Sequence, residues 1–142
     1  MNKTKTHINE NYTWYIVDAN RQTLGRLSTQ ISTILVGKNN PNYSPEQPSM
    51  NGVIVINAEK IRVTGKKETD KFYKRHSGRP GGLTIESLEE VRNRIPTRLI
   101  EHSVKGMLPK GALGRSLFTK LKVYKGEHHP HGAQNPSKLA VN

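Results

Sequence analysis

The sequence contains no cysteine, so disulfides, thiolate metal sites and cysteine nucleophiles are excluded. Long apolar runs are missing too, since no stretch approaches the ~18–20 residues that a membrane-spanning helix needs. The first twelve residues are polar and lack the apolar segment of a secretory signal peptide. We therefore expect a protein that has no membrane partner and no disulfide framework.

Acidic residues are also scarce. The 142 residues include 11 Asp plus Glu against 23 Lys plus Arg, which gives a net charge of +12. Residues 59–142 carry eighteen of the basic and eight of the acidic side chains, a net of +10. Such an excess favours a polyanionic partner, with RNA first. A solvated surface that serves only solubility is the alternative.

Motifs of nucleotide-dependent enzymes are missing as well. Neither Gly65-Lys66-Lys67 nor the segment 78–82 fits a phosphate-binding loop, and no G-x-G-x-x-G follows the first apolar run. Asp18 stands where α/β enzymes place catalytic carboxylates, but its position suits capping of the following turn better. Ser77 and Ser116 have no sequence support for a catalytic triad. We predict no catalytic residue, no cofactor and no small-molecule substrate.

Three histidines lie close together near the C-terminus, at His128, His129 and His131. Without a cysteine or an obvious carboxylate partner they form a weak set of metal ligands. We expect these side chains to contact RNA or a neighbouring protein, and we predict no metal site.

The first half of the chain has the pattern of a strand, a helix and a second strand. The apolar run 14–17 predicts a strand buried on both faces, as in a parallel sheet. Apolar residues then recur at helical spacing up to Leu35, and Gly37 suits the C-cap. Residues 53–57 predict the second strand, so the pattern indicates a right-handed βαβ unit and an α/β fold.

A loop with three prolines, residues 37–52, joins that helix to the second strand. Loops of this length are uncommon unless they are functional or disordered. Lys38 and Tyr43 are candidates for RNA contact, and a merely extended surface loop is the alternative.

The rest of the chain predicts shorter elements within a single domain of residues 1–142. In order, these are a short edge strand at 61–63, extended structure at 72–73, a helix capped by Thr84, a helix opening at Pro96, a helix over 112–119 and a strand over 121–124. The first of these helices would bury Ile85, Leu88, Val91 and Ile95. Residues 1–13 are predicted as a polar arm and residues 127–142 as an irregular tail.

One cluster of cations spans residues 66–79, where only Glu68 and Asp70 oppose it. The ring side chains of Tyr73 and His76 lie between these cations in the sequence, and such rings stack on bases or riboses. The candidate RNA-binding residues here are Lys66, Lys67, Lys71, Tyr73, Lys74, Arg75, His76 and Arg79.

A second cluster lies in residues 104–126, which contain no carboxylate. Helical spacing predicts that Leu113, Leu117 and Phe118 face the core, whereas Arg115 and Lys120 point toward RNA because burying a cation is costly. The candidate RNA-binding residues here are Lys105, Lys110, Arg115, Lys120, Lys122 and Lys125.

Five motifs follow one another along nearly the whole chain. They are W-Y-I-V-D-A with T-L-G-R-L (14–27), V-I-V-I-N-A-E-K-I-x-V-T-G-K-K (53–67), H-S-G-R-P-G-G (76–82), V-K-G-M-L-P with L-K-V-Y-K-G (104–126) and H-H-P-H-G-A-Q-x-P (128–136). In this order and spacing they resemble the family of large-subunit ribosomal protein thirteen, in its bacterial and organellar form.

The resemblance implies a three-layer α/β/α arrangement around a small, mainly parallel four-stranded sheet, with basic loops and extensions. It also implies a structural protein of the large ribosomal subunit that binds large-subunit rRNA, contacts neighbouring ribosomal proteins and supports early subunit assembly. The ribosome would be that of a bacterial cytoplasm or a plastid stroma. A free-standing RNA-binding or RNA-chaperone module is the first alternative, and a nucleotide-binding α/β enzyme is the second.

Overall fold

The computed structural model describes residues 12–139. The predicted polar arm of residues 1–13 therefore lies outside the described residues, except for Tyr12 and Thr13. The strands are β1 Thr13–Asp18, β2 Asn51–Ile56, β3 Phe72–His76, β4 Leu83–Ser87, β5 Leu121–Val123 and β6 Ser137–Lys138. The α-helices are α1 Leu24–Val36, α2 Lys67–Asp70, α3 Leu88–Arg94, α4 Thr97–Met107 and α5 Ala112–Thr119.

Four strands form a parallel sheet in the order β5-β2-β1-β6. The two central strands are in full register from Thr13 opposite Asn51 to Asp18 opposite Ile56. The βαβ unit is as predicted, because the parallel pair β1 and β2 is connected through α1. The parallel sheet and its packed helices agree with the predicted three-layer α/β class.

The helix α1 ends where the sequence predicted. Gly37 has φ 84°, and its amide donates to the carbonyls of Ile34 and Thr33. This left-handed conformation is inexpensive for glycine and closes the last turn. The apolar face of α1 joins the sheet and helices α4 and α5 in one core, which includes Val17, Leu27, Ile31, Leu35, Val53, Val55, Ile100, Val104 and Leu117.

A separate antiparallel hairpin of β3 and β4 projects from this body. It connects to a second, smaller apolar cluster made of Leu88, Val91 and Leu99. Tyr73 of β3 packs against that cluster, so one face of the hairpin is anchored to α3 and α4.

Two predicted elements were wrong in this part of the chain. Residues 61–63, predicted as an edge strand, do not form a strand. A single bridge pairs Arg62 with Thr23 instead. The helix predicted from Thr84 begins at Leu88, because Ser87 forms a capping box with Glu90. Residues 83–87 pair with β3, and Ile85 is therefore exposed rather than buried, as is Ile95.

The tail after residue 126 is less irregular than predicted. A 3-10 turn covers Gly132–Gln134, and Ser137–Lys138 forms β6, the fourth strand of the sheet. Tyr15 pairs with Ser137 and Ile16 with Lys138, in parallel. The remainder of residues 127–139 lies outside regular elements, in agreement with the prediction.

Candidate nucleic-acid interface

The first cation cluster lies on α2, the strand β3 and the turn that follows it. The turn is closed by hydrogen bonds from the Ser77 amide to the Gly82 carbonyl and from the Gly82 amide to the Arg79 carbonyl. All basic side chains of this first cluster are exposed. We call the set the hairpin surface, and it consists of Lys66, Lys67, Lys71, Lys74, Arg75, His76 and Arg79.

Ion pairing separates this surface from the other cations of the same region. Within residues 12–139, no lysine or arginine of the hairpin surface forms an ion pair. Two acids of this region are engaged by arginines that the sequence analysis did not select. Glu68 pairs with Arg92, and Glu86 pairs with Arg94 and Arg98. The lysines and arginines of the hairpin surface are thus not occupied by ion pairs within residues 12–139.

The two faces of the hairpin differ in their aromatic content. Tyr73 is half-buried, and its ring meets the ring of His102 edge-on with centroids 5.2 Å apart. Burial raises the pKa of the Tyr73 phenol, and the nearby Arg98 partly opposes this. Phe72 points to the other face and is 55% exposed. It is Phe72, beside Lys74, that offers a free ring, and the sequence analysis missed it.

His76 keeps its place on the open face of the hairpin. Its Nδ1 accepts the Gly78 amide at 2.9 Å, which orients the ring while leaving the side chain exposed. Strand alternation places Phe72, Lys74 and His76 on one face, and this period-2 pattern was the signal for Phe72.

Lys67 also belongs to a depression that no sequence pattern indicated. Arg26 from α1 and Arg62 lie beside it around a cavity of about 440 Å³. The three cations come from distant parts of the chain, so spacing along the sequence carries no sign of their proximity.

The second cluster is divided by the fold. Lys105, Lys110 and Arg115 are exposed and surround one cavity between the end of α4 and α5. We call these three residues the helix surface. The ammonium of Lys105 lies 5.9 Å from the ring centroid of Phe118, which is half-buried rather than fully buried.

Lys120 does not point outward, contrary to our expectation. Its ammonium donates to the carbonyl of Ser49, lies 4.0 Å from the Met50 sulfur and sits 5.6 Å from the ring centroid of Tyr12. Burial lowers the pKa of the Lys120 side chain, because it penalises the charged form. The structure gives Lys120 a role in holding the loop before β2.

The remaining candidates lie apart from these two surfaces. Lys122 is exposed on β5, and Lys38 is exposed just beyond α1. Lys125 is exposed but lies 4.0 Å from a carboxylate oxygen of Glu59. An exposed pair at this distance is weak, so it leaves Lys125 accessible to a stronger anion.

Two of the tail histidines are used within the fold. Nε2 of His131 lies 2.7 Å from the phenol oxygen of Tyr124, and the His131 ring stacks on Trp14 at 6.0 Å. His129 stacks on His131. In residues 12–139, no three His, Cys, Asp or Glu side chains are grouped as a metal site would require. None of the helices described there has the length and apolar character to cross a membrane.

Asp18 caps a turn, as predicted. Its Oδ1 accepts the Asn20 amide and the Asn57 side-chain amide, each at 2.9 Å. The carboxylate therefore has structural partners after the ends of both β1 and β2.

Comparison with known proteins identifies the family. A family model described as Ribosomal protein L13 matches residues 12–130. The chain belongs to the ribosomal protein L13 family. The resemblance drawn from the motifs is thus confirmed.

Relatives of this L13-family chain include cyanobacterial and plastid proteins. The large ribosomal subunit protein uL13 of Synechococcus sp. (strain CC9902) is 57% identical over 129 residues, which cover 91% of this chain and 86% of the relative. The corresponding protein of Prochlorococcus marinus is 54% identical over an alignment that covers 99% of this chain and 95% of the relative. The large ribosomal subunit protein uL13c of Pyropia yezoensis is 56% identical over 99% of this chain and its full length.

Proposed function

We propose that this chain binds large-subunit rRNA through the hairpin surface and the helix surface, and that this binding supports early assembly of the subunit. As a member of the ribosomal protein L13 family, the chain is a structural constituent of the large ribosomal subunit. The proposal concerns how it holds its place there. It assigns the protein no catalytic step.

One observation carries the proposal. Glu68 and Glu86 pair with Arg92, Arg94 and Arg98, while the neighbouring hairpin cations have no ion-pair partner within residues 12–139. Exposed cations that repel one another at short range destabilise a free protein, so their concentration on one projecting hairpin indicates an external anion. A double-helical or folded RNA, with its dense phosphates, matches that requirement.

The binding mechanism follows from the charges and the turn geometry. Each lysine or arginine that meets a phosphate releases condensed counterions, which makes the affinity dependent on salt. Gly78 and Gly81 have positive φ values of 88° and 73° and no side chain, so a phosphate backbone can come close to the turn between β3 and β4 at these two positions. Neutralising phosphates of converging rRNA segments lowers their mutual repulsion and favours an early folded state of the RNA.

We also propose the partners and the compartment. Its relatives include cyanobacterial and plastid proteins, so a bacterial cytoplasm or a plastid stroma is the expected setting of the ribosome. Neighbouring ribosomal proteins are expected to contact the surfaces that the rRNA does not cover.

Two measurements test the proposal. In a magnesium-containing gradient of cell lysate, the protein should sediment with the large subunit and stay there through a moderate-salt wash. In RNA titrations, Lys74→Ala should reduce the salt slope by about one ion with little change in sequence preference.

Arg94→Ala provides a matched control, because Arg94 is paired with Glu86 and should change the salt slope much less. Recovery of most of the protein in ribosome-free fractions would favour the free-standing RNA-binding module. Equal salt slopes for Lys74→Ala and Arg94→Ala would remove the hairpin surface from the interface.

A further inference from the structure

A cavity of about 530 Å³ opens between the end of α4, the segment 108–111 and α5. Its volume falls within the ~300–1,000 Å³ that is typical of small-molecule sites. The sequence analysis selected the cations of this region, but it did not place them around a concavity.

The walls of the cavity combine two kinds of surface. Leu108, Pro109 and the ring of Phe118 are apolar, and Lys105, Lys110 and Arg115 are basic. The remaining lining residues are Gly111 and Gly114, so the lining includes no carboxylate. The Lys105 ammonium lies over the Phe118 ring, 5.9 Å from its centroid, so a base that stacks on this ring face must displace the flexible lysine side chain toward the phosphate.

The backbone holds this shape without help from a ligand. A methyl group at Gly114 would lie 1.7 Å from the carbonyl oxygen of Pro109, so the helix and the segment before it are in direct contact. Leu108 is 5% exposed and anchors that segment in the main core. The cavity is therefore part of the folded body.

A ligand that fits both surfaces has a flat apolar ring and a negative charge next to it. A phosphate alone would leave the Phe118 ring unused, and a carboxylate side chain of a protein would leave most of the cations unpaired. A nucleotide supplies both groups, with its base for the ring and its phosphate for the cations.

We propose that the cavity receives one unpaired nucleotide of the large-subunit rRNA, with the base stacked against Phe118 and the phosphate held by Lys110 and Arg115. This inference rests on the proposed function. A base inside an A-form helix cannot reach a side chain in this way, because the deep groove is too narrow and the bases are stacked. The nucleotide must therefore come from a loop, bulge or end of the rRNA.

The test uses large subunits from cells whose sole copy of the protein is wild type or a variant. Phe118→Leu keeps the apolar volume and removes the ring. Base-specific chemical probing should show one unpaired nucleotide that is protected with wild type and reactive with Phe118→Leu, while the rest of the footprint persists. In RNA titrations, affinity should fall by about fivefold to 150-fold, which is what ~1–3 kcal/mol of stacking corresponds to.

The salt slope separates the stacking contribution from the electrostatic one. Phe118→Leu should leave the slope unchanged, because no cation is lost, whereas Lys110→Ala should reduce it by about one ion. Leu113→Ala is the matched control, since Leu113 lies on the same helix and against the same core but does not line the cavity. Loss of protection with Leu113→Ala to the same extent as with Phe118→Leu would assign the effect to stability and overturn the proposal.

A second arm separates rRNA from free nucleotide. The isolated protein is titrated with 5′-AMP, GMP, CMP and UMP, and weak or absent binding is expected. Saturable micromolar binding of one of them that Phe118→Leu abolishes, with no change in rRNA reactivity, would assign the cavity to a free nucleotide instead. In assembled subunits, a crosslink from position 118 to a neighbouring protein would also overturn the assignment of the cavity to rRNA.

Failure of this inference is distinguishable from failure of the proposed function. If wild type co-sediments with the large subunit and binds RNA with a steep salt slope, but no nucleotide responds to Phe118→Leu, the cavity assignment alone is wrong. If wild type is absent from the large subunit, the proposed function fails with it.

Discussion

The phenol oxygen of Tyr124 lies 2.7 Å from Nε2 of His131, and the same imidazole stacks on Trp14 at an interplanar angle of 10°. Tyr124 follows the edge strand β5 and Trp14 belongs to the inner strand β1, so this one histidine connects these two parts of the sheet. The arrangement fixes the tail just before it forms β6, where the Leu139 amide donates to the Ile16 carbonyl at 3.0 Å.

We expect Tyr124→Phe to loosen the tail without unfolding the core. Loss of one hydrogen bond should lower the free energy of unfolding by about 0.5–1.5 kcal/mol, and hydrogen exchange at the Leu139 amide should accelerate more than exchange at Val53. The exposed Tyr43, changed to Phe, is the control and should alter neither quantity. Unchanged exchange at Leu139 would show that stacking on Trp14 alone holds the tail.

Neighbouring side chains on α5 should differ sharply in their contribution to stability. Leu117 is 1% exposed, so Leu117→Ala should lower the free energy of unfolding by about 2–5 kcal/mol. Phe118 is half-buried, so Phe118→Ala should cost less than the ~3–5 kcal/mol of a fully buried ring. Denaturant titration measures each value, and Arg115→Ala should stay within about 0.5 kcal/mol of wild type. A larger loss for Phe118→Ala than for Leu117→Ala would contradict the observed packing.

Two glycines in adjacent helices should respond to alanine in opposite directions. At Gly114 the added methyl would meet the Pro109 carbonyl, and the required backbone shift should cost at least about 1–3 kcal/mol. At Gly106 in α4 no atom lies within 4 Å of the added methyl, so Gly106→Ala should stabilise by about 0.5–1 kcal/mol. Thermal melting of the two variants gives the comparison. Similar melting temperatures would mean that α5 can move away from Pro109 without loss.

The stability of the protein should depend on pH through Lys120. Burial holds the folded-state pKa of Lys120 below its ordinary value of 10.5, so the cost of burying the charge is fully present below the folded-state pKa. As pH rises from the folded-state pKa to 10.5, the folded state loses this proton first and the cost disappears. The free energy of unfolding of wild type should therefore rise relative to Lys120→Met across that window. Denaturant titrations of both proteins at several pH values measure the difference, and a flat or falling difference would show that Lys120 is not desolvated.

The strands and helices were predictable from the sequence where apolar residues follow one pattern over a long enough segment. The helix α1 and the strand β2 were placed nearly correctly, because Leu24 to Leu35 repeat at helical spacing and Val53 to Ile56 form an unbroken apolar run. The helix α5 was placed at its observed bounds for the same reason.

The hairpin was harder because its local pattern is ambiguous. Ile85, Leu88 and Val91 are spaced as on a helix, yet Ile85 pairs across to Lys74. Pairing with β3 decides that residues 83–87 form a strand, and the local propensity of these residues does not predict that pairing. The capping-box pattern from Ser87 to Glu90 was present in the sequence and marks the true start of α3.

The sequence indicated which segments are rich in cations, but not which of these cations are exposed and which are held by contacts within the fold. Lys74 and Lys120 look alike in the sequence, and only the fold brings the Ser49 carbonyl to one of them. The proximity of Arg26 and Arg62 to Lys67 likewise depends on tertiary packing. Charge counts therefore located the basic half of the chain, and the structure shows which of these cations are exposed and free of ion pairs within residues 12–139.

The position of β6 has a consequence for synthesis of the protein. The strand β1 emerges early from the translating ribosome, but its outer neighbour, residues 137–138, is among the late residues of the chain. Until then, the outer edge of β1 presents unpaired amide and carbonyl groups, which are prone to pair with other chains. The sheet thus remains open at one edge until residues 137–138 are in place.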